Sequence, residues 1–435
     1  MEINTITFLF LFLPLLLLSK LLVPKKYENI LIIILGLIFY SGLNIIYVLM
    51  IFFATNINYI FTKELIDNDK YKKRIFIFLI IFNILLILIP FIILKEKNFM
   101  IILLSLELIS YVINTYKRNE LIEKKYINFL ANSFLFPRGL GTNINTYNKT
   151  LNERKNNDSK LTNIFSGIKY IFLGLIINNL LANNLGELFL EIKTLKNISL
   201  LTNILGIISA YFYFIFKIYS YYLSYKGIEK ILGFDVENNF DEPLISKSTS
   251  EFMKKWYSTM NNWVKETIYN NLTSPKITIL IYYLIIMTIW ILTGLFYQTN
   301  LNGFIFGLLI GIILIIESNL TKIKLNKVYK IFTNILIVLL VFLLIFNNLG
   351  EYFNYIKNII LFFKYPIMNK TFFYLLYNHI FVLIIAICIY FRIDKYIKIK
   401  PTLEYKIFIN ALFIALSIIS IAYMFSSYYN LHIIF

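Results

Sequence analysis

The chain has 435 residues, of which 59% are hydrophobic and 15% are charged. That balance excludes a soluble enzyme, a secreted module and a single-pass receptor, because roughly 20 apolar residues make one crossing and the length holds about ten to twelve crossings. The 42 basic residues outnumber the 24 acidic residues. In a membrane protein this excess indicates basic loops that set the orientation of the helices. We therefore expect no nucleic-acid partner.

The first apolar run covers residues 6–23 and has the length of a signal peptide core. A cleavable signal has a basic beginning and a small-residue cleavage site. This chain opens Met-Glu-Ile-Asn and continues through Lys20 into further apolar residues. We therefore expect a retained first helix.

The later apolar runs predict an all-α, polytopic integral membrane protein. Each is a continuous run of Ile, Leu and Phe, whereas barrel strands would alternate over about ten residues. The run 28–61 is long enough for two short crossings hinged near Ser41 and Gly42. The other runs lie at about 74–94, 99–116, 161–182, 199–225, 277–297, 303–317, 331–346, 372–391 and 406–427.

Stretches 126–160, 226–276 and 347–371 interrupt this rhythm, and the first two hold most of the polar residues. No phosphate loop, HExxH or GxSxG motif is present. The single cysteine, Cys388, excludes a disulfide framework and a cysteine cluster for metal. No metal site is therefore expected.

Residues 246–272 predict an amphipathic helix, with one face polar and the other apolar. We expect it to lie along the membrane interface, with its tryptophans at headgroup depth and Lys254, Lys255 and Lys265 toward water or anionic lipid. Ser248 or Ser250 is suited to cap its start. The apolar residues fall in one arc of about 160°: Phe252, Met253, Trp256, Tyr257, Met260, Trp263, Val264 and Ile268.

This segment resembles the membrane-bound O-acyltransferase family, especially the bacterial, alginate O-acetyltransferase-like branch that esterifies cell-surface polysaccharides and teichoic acids. That branch has a proline, S-x-S-x-x-E-F, two basic residues, W-H and then W-F-R-D before a tyrosine. The matching residues here are Pro243, Ser246, Ser248, Glu251, Phe252, Lys254, Lys255, Trp256, Trp263, Glu266 and Tyr269.

Other segments are similar to the same family in order and spacing. Residues 109–117 resemble its I-S-Y-x-I-D-x-Y-R, residues 134–137 its F-F-P, and residues 174–185 its G-L-x-K-K-x-x-x-A-D-N-L. The resemblance runs from about residue 30 to the end. It implies a single polytopic domain over 1–435, with the amphipathic segment inside it.

The chain departs from the family at the catalytic histidine, where Tyr297 stands. Tyr257 likewise replaces a second family histidine. Acyl transfer to a hydroxyl needs a base near neutral pH, and a phenol with an ordinary pKa of about 10 is ionised in roughly one molecule in a thousand at pH 7. Since positioned base catalysis supplies about 10² to 10⁴ in rate, ordinary family chemistry should be crippled.

Few other residues are candidates for a base. His379 stands near a helix end, where an interfacial role is commoner, and His432 is the fourth residue from the end of the chain. Glu107 takes the place of a family glutamine, which favours a role in lining a polar channel. Glu317 stands at the end of an apolar run, and we expect its carboxylate to extend to the membrane interface. We expect Trp256, Trp263, Glu107 and Asn261 to line a passage for substrate.

Three functions fit these observations. The resemblance implies O-acyl transfer, of an acetyl or other small acyl group, to an extracytoplasmic polysaccharide or lipid-linked glycan. It also implies the lipid bilayer and an extracytoplasmic acyltransferase as partners, an acyl donor as co-substrate without a cofactor, and the cytoplasmic (inner) membrane of a bacterium. The second function is a catalytically degenerate assembly or acyl-carrying subunit. The third is a polysaccharide flippase or polymerase. A flippase should have charged residues spread through several helices and two similar halves, and this sequence shows neither.

Overall fold

A computed structural model describes most of the predicted helices. The described residues are 3–89, 99–117, 123–136, 160–195, 199–234, 240, 246–256, 258–263, 267, 279–319, 327–361, 366–392 and 402–426. Within them the chain forms helices and no strand, apart from an isolated backbone bridge between Phe240 and Trp256. The all-α prediction is confirmed.

The helices follow the apolar runs closely. A π-helical turn at Phe8–Phe12 precedes the first of them, and another at Ile177–Ala182 joins α7 to α8. The helices are α1 (Leu13–Leu22), α2 (Glu28–Ser41), α3 (Ile45–Asp67), α4 (Lys72–Ile89), α5 (Phe99–Lys117), α6 (Tyr126–Ser133), α7 (Lys160–Ile176), α8 (Asn183–Thr194), α9 (Leu200–Leu232), α10 (Thr249–Lys255), α11 (Ser258–Trp263), α12 (Ile279–Tyr297), α13 (Leu301–Asn319), α14 (Lys327–Leu343), α15 (Leu349–Ile360), α16 (Lys370–Tyr390) and α17 (Leu403–Phe425).

Several helices have the length and composition of membrane spans. Among the described residues, six are long and apolar enough to cross a bilayer. They are Ile45–Asp67, Lys160–Thr194, Leu200–Leu232, Leu301–Asn319, Lys370–Tyr390 and Leu403–Phe425. The protein is therefore a multi-pass membrane protein, and the estimate of ten to twelve crossings stays a prediction.

Helix starts agree with the local sequence. The run 28–61 divides after Ser41, as predicted, and Asn44 caps α3 by accepting a hydrogen bond from the amide of Ile46 over 3.0 Å. Asn369 caps α16 through the amide of Phe372 over 2.9 Å. Short polar side chains at these positions satisfy amide groups that no helical carbonyl reaches.

The chain groups into two compact units. Unit 1 comprises Met1–Phe172, Tyr221–Asn239 and Thr259–Ser274, and unit 2 comprises Leu173–Ser220, Phe240–Ser258 and Pro275–Phe435. In unit 1, a core at Leu65, Leu79 and Val112 joins α3, α4 and α5. The expectation of a single domain over 1–435 stays a prediction.

In unit 2, glycines allow α12 and α13 to pack backbone against backbone. A methyl group at Gly294 would collide with the backbone of Gly303, and one at Gly307 would collide with the backbone of Trp290. Small residues at this spacing let membrane helices approach closely. This hairpin places Tyr297 at the end of α12 and Glu317 near the end of α13.

Candidate functional site

The predicted amphipathic helix is divided in two at Trp256. Ser248 caps α10 by accepting a hydrogen bond from the amide of Glu251 over 3.1 Å. Trp256 then adopts an extended backbone, with φ −98° and ψ 107°, and forms the bridge to Phe240. The second piece, α11, begins at Ser258. A single continuous helix was therefore the wrong expectation, because the backbone of Trp256 pairs with Phe240.

The indole of Trp256 is buried inside an aromatic cluster. Its ring stacks on Phe214 and Phe252, with centroids 6.2 and 6.1 Å away, and meets the edge of Phe240 at 4.9 Å. The residue is 6% exposed. Aromatic pairs in these arrangements stabilise by about 0.5–1.5 kcal/mol beyond the area they bury. Trp256 is therefore packed against protein side chains, and its predicted position at headgroup depth stays a prediction.

Tyr297 closes this aromatic cluster. The indole Nε1 of Trp256 donates a hydrogen bond to the Tyr297 hydroxyl over 3.2 Å. The Tyr297 ring meets the edges of Phe214 at 5.6 Å and Phe306 at 6.1 Å. Two segments that the resemblance singled out separately, 41 residues apart, are thus in direct contact.

Gln298 follows Tyr297 at the turn into α13. Its Nε2 donates to the carbonyl oxygen of Phe346 over 2.9 Å. Its Oε1 is buried and has no hydrogen-bond partner in the part of the chain that the structure describes. Buried acceptors in folded proteins are nearly always paired, so this oxygen, on the residue that follows Tyr297 in the chain, is a candidate contact for a hydroxyl group.

A phenol held in this way has defined chemistry. The Tyr297 oxygen accepts a hydrogen bond from Trp256, and the O–H of a phenol is itself a donor. Hydrogen-bond donors placed where negative charge develops are among the strongest contributors to acyl transfer. The arrangement therefore suits donation to an acyl oxygen better than proton abstraction.

Two buried polar contacts in unit 2 were not predicted from the sequence. Lys217, 5% exposed, donates to Oδ1 of Asn183 over 3.3 Å. Asn179 lies in the π-helical turn and donates to the carbonyl and hydroxyl oxygens of Ser420, over 3.0 and 3.1 Å. Lys217 lies in the middle of α9, one turn after Phe214. Its side chain is buried, although lysine side chains in membrane helices often extend to the membrane interface. The signal in the sequence was the Ala182-Asn183-Asn184-Leu185 segment, where Asn183 stands in place of a family aspartate.

The other expected lining residues lie in unit 1. Trp263 is 5% exposed, and its Nε1 donates to the carbonyl oxygen of Leu106 over 3.2 Å and to the hydroxyl of Ser110. Glu107 accepts a hydrogen bond from Nδ2 of Asn132 over 2.6 Å. Trp263 is therefore also held by protein atoms, and the lining role of both residues stays a prediction.

The basic residues of the segment are only partly described. Lys254 is exposed, and Lys255 pairs with Glu251 over 3.0 Å. Burial opposes ionisation of Glu251, but hydrogen bonds from the Lys247 amide and the Lys255 ammonium group hold its pKa below the usual value. Tyr257 and Lys265 lie outside the described residues, as does the side chain of Asn261. Their predicted roles stay predictions.

The remaining candidates for a base have other surroundings. His379 has its Nε2 3.9 Å from a carboxylate oxygen of Glu191, on α8. His432 lies outside the described residues. Glu317, expected to reach the interface, is instead buried, at 8% exposure, and binds the start of α10. No group of three or more metal-binding side chains occurs among the described residues.

Comparison with known proteins agrees with the resemblance seen in the sequence. No family model matches. A protein of Pseudomonas fluorescens named "Probable alginate O-acetylase" is 24% identical over 355 residues, which is 78% of this chain and 71% of that protein. Its namesake in Pseudomonas aeruginosa is 24% identical over 241 residues, 54% of this chain and 46% of that protein. A teichoic acid D-alanyltransferase of Bacillus subtilis is 22% identical over 107 residues, 24% of this chain and 27% of that protein.

The chain is thus similar, at modest identity, to named proteins over much of its length. Both groups of named relatives belong to the membrane-bound O-acyltransferase family. Apart from the Pseudomonas fluorescens protein, the relatives are matched over about half of their length or less.

Proposed function

We propose that this protein takes part in the transfer of an acetyl or other small acyl group to a cell-surface polysaccharide on the outer side of the cytoplasmic membrane of a bacterium. The names of the relatives support this chemistry, since they include alginate O-acetylases and teichoic acid D-alanyltransferases. The acyl donor is a co-substrate, and an extracytoplasmic acyltransferase is the expected partner protein.

The contact between Trp256 and Tyr297 is the observation that carries the proposal. The resemblance assigns Tyr297 to the place of the catalytic histidine and Trp256 to the tryptophan of the amphipathic motif. Their hydrogen bond of 3.2 Å, inside an aromatic cluster, is what a shared site requires. The Oε1 of Gln298, the next residue in the chain, has no partner among the described residues and adds an acceptor for a sugar hydroxyl.

In this proposal Tyr297 acts as a hydrogen-bond donor and not as a base. The acceptor hydroxyl oxygen forms the new ester bond to the acyl carbon, and the bond from that carbon to the donor breaks. The hydroxyl proton ends on the departing group, so the chain supplies no net proton. The Tyr297 O–H stabilises the negative charge that develops on the acyl oxygen.

The test measures ester groups on the surface glycan of a strain that lacks the gene and carries one variant at a time. The wild type should restore the esters, and Tyr297→Phe should lower the ester-forming rate by about 10² to 10³, the usual effect of removing one such donor. Tyr283→Phe is the matched control, because its hydroxyl is also on α12 and binds Asn319 over 2.8 Å near the other end of the helix. It should behave as wild type.

The Tyr297→His variant tests whether the protein is an active enzyme by placing the family residue at this position. An imidazole at this position restores the family residue and should allow ester formation. If the glycan lacks esters with both the wild type and the His variant, the proposed activity is wrong. Ester formation at the wild-type rate in Tyr297→Phe would instead remove Tyr297 from the chemistry and favour an assembly or acyl-carrying subunit.

A further inference from the structure

Glu317 binds the first backbone amides of α10. Its two carboxylate oxygens accept hydrogen bonds from the amide of Thr249 over 2.7 Å and the amide of Ser250 over 2.8 Å. Each bond joins the end of α13 to a segment more than 60 residues earlier in the chain. Hydrogen bonds to a charged acceptor are short and roughly twice as strong as neutral ones.

A third element meets the same carboxylate. The hydroxyl of Tyr329, in the first turn of α14, donates to Oε1 of Glu317 over 2.9 Å. Glu317 is thereby linked to α10 and α14 while it belongs to α13. A buried carboxylate with three donors is a well-satisfied group, and removing it leaves those donors without their partner.

These contacts fix the start of a very short helix. The amides of Thr249 and Ser250 are taken by Glu317, and the next amide, that of Glu251, is taken by Ser248. The helix has seven residues, so it is only about 10 Å long. Its far end leads directly into Trp256.

We propose that Glu317 is a positioning residue that fixes α10 and so holds the indole of Trp256 against the hydroxyl of Tyr297. The hairpin of α12 and α13 carries both Tyr297 and Glu317, so one rigid pair of helices presents the phenol and anchors the segment that supplies its hydrogen bond. The consequence for acyl transfer rests on the function proposed above, whereas the placement of Trp256 does not.

The test follows Trp256 directly. The chain has three tryptophans, so the purified protein labelled with 5-fluorotryptophan gives three fluorine NMR resonances, assigned by single Trp→Phe substitutions. In Glu317→Ala the resonance of Trp256 should shift and broaden. The resonance of Trp290 is the internal control, because that residue lies on α12 and packs against glycines of α13.

Milder variants keep the test decisive if Glu317→Ala does not fold. Glu317→Gln keeps one acceptor oxygen but replaces the other with a donor, and Tyr329→Phe removes the third contact alone. Both should shift the Trp256 resonance less than Glu317→Ala, and Glu317→Asp should recover most of the wild-type position. Glu404→Ala, an exposed residue on α17, should change nothing.

Ester formation in the same variants separates the two proposals. Glu317→Ala should lower the rate at least about tenfold, which corresponds to one lost charge-assisted contact, and Glu317→Asp should restore it. An unchanged Trp256 resonance in Glu317→Gln and Tyr329→Phe overturns the positioning role, whatever the ester content. A displaced Trp256 with wild-type ester formation supports the positioning role and counts against the proposed function.

Discussion

The indole N–H of Trp256 points at the hydroxyl oxygen of Tyr297, and 3.2 Å separates the two atoms. The tryptophan ends a seven-residue helix and the tyrosine ends α12. Neither segment alone has a catalytic pattern. Their contact places the tryptophan of the amphipathic segment against a tyrosine, at the position where the resemblance predicts a histidine.

Trp256→Phe should separate the hydrogen bond from the aromatic packing. A phenylalanine keeps a ring between Phe214 and Phe252 but cannot donate to Tyr297. We expect a loss of about 0.5–1.5 kcal/mol in the free energy of unfolding, with ester formation reduced. Trp256→Ala should cost about 3–5 kcal/mol, because the ring is removed as well. Equal losses in the two variants would show that the hydrogen bond contributes everything and the packing nothing.

Gly307→Ala should weaken the hairpin of α12 and α13. The added methyl group would collide with the backbone of Trp290 and Ile291, which cannot rotate away. Overpacking of this kind costs about 1–3 kcal/mol. The control is Gly350→Ala, where the methyl group would be 3.4 Å from the nearest side-chain atom. Thermal unfolding can be followed with a thiol-reactive dye, since Cys388 is the only cysteine in the chain. Equal midpoints for the two variants would contradict close helix packing.

Asn179 and Ser420 should be energetically coupled. Asn179 donates two hydrogen bonds to Ser420, and buried bonds of this kind contribute about 0.5–1.5 kcal/mol each. Only the bond to the serine hydroxyl depends on the side chain of Ser420, so a double-mutant cycle of Asn179→Ala and Ser420→Ala should give a coupling energy of about 1 kcal/mol. Additive effects of the two substitutions would mean that the side chains do not interact.

Glu251 should give the protein a pH-dependent part of its stability. Because its pKa is lowered in the folded protein from the ordinary value of 4.5, the unfolded chain binds its proton first as the pH falls. The stabilisation is therefore complete above the unfolded pKa and is lost as the pH falls through the folded pKa. Wild type and Glu251→Gln should differ in unfolding temperature near pH 7 and converge below about pH 4. A difference that persists unchanged in acid would exclude this ion pair as its cause.

The membrane architecture followed from local sequence, whereas the site did not. The break between α2 and α3 coincides with Ser41 and Gly42, since a polar residue and glycine interrupt the apolar run and Asn44 caps the next helix. Ser248 was also recognisable as a cap. These features depend on residues a few positions apart, which a single sequence displays.

The corrections all come from contacts between distant segments. The amphipathic pattern around Trp256 predicts one helix, because nothing nearby reveals that its backbone pairs with Phe240. Glu317 looks like a helix-end charge until α10 is placed beside it. The pairing of Lys217 with Asn183, 34 residues earlier, was not predicted and is also a contact between distant segments. Tertiary contacts decide these positions, and one sequence does not show them.

The π-helical turn at Ile177–Ala182 holds one residue more than an α-helical turn. Deleting one residue here would therefore relax the turn to ordinary α-helix, and the helix on either side would keep its orientation. Asn183 would stay beside Lys217, and the buried residues Leu185 and Leu188 would keep their neighbours. Only the side chains inside the turn would be rearranged, among them Asn179, which donates to Ser420. A one-residue deletion is therefore tolerated better in this turn than in the α-helical parts of α7 and α8, where it would rotate all later residues by about 100°.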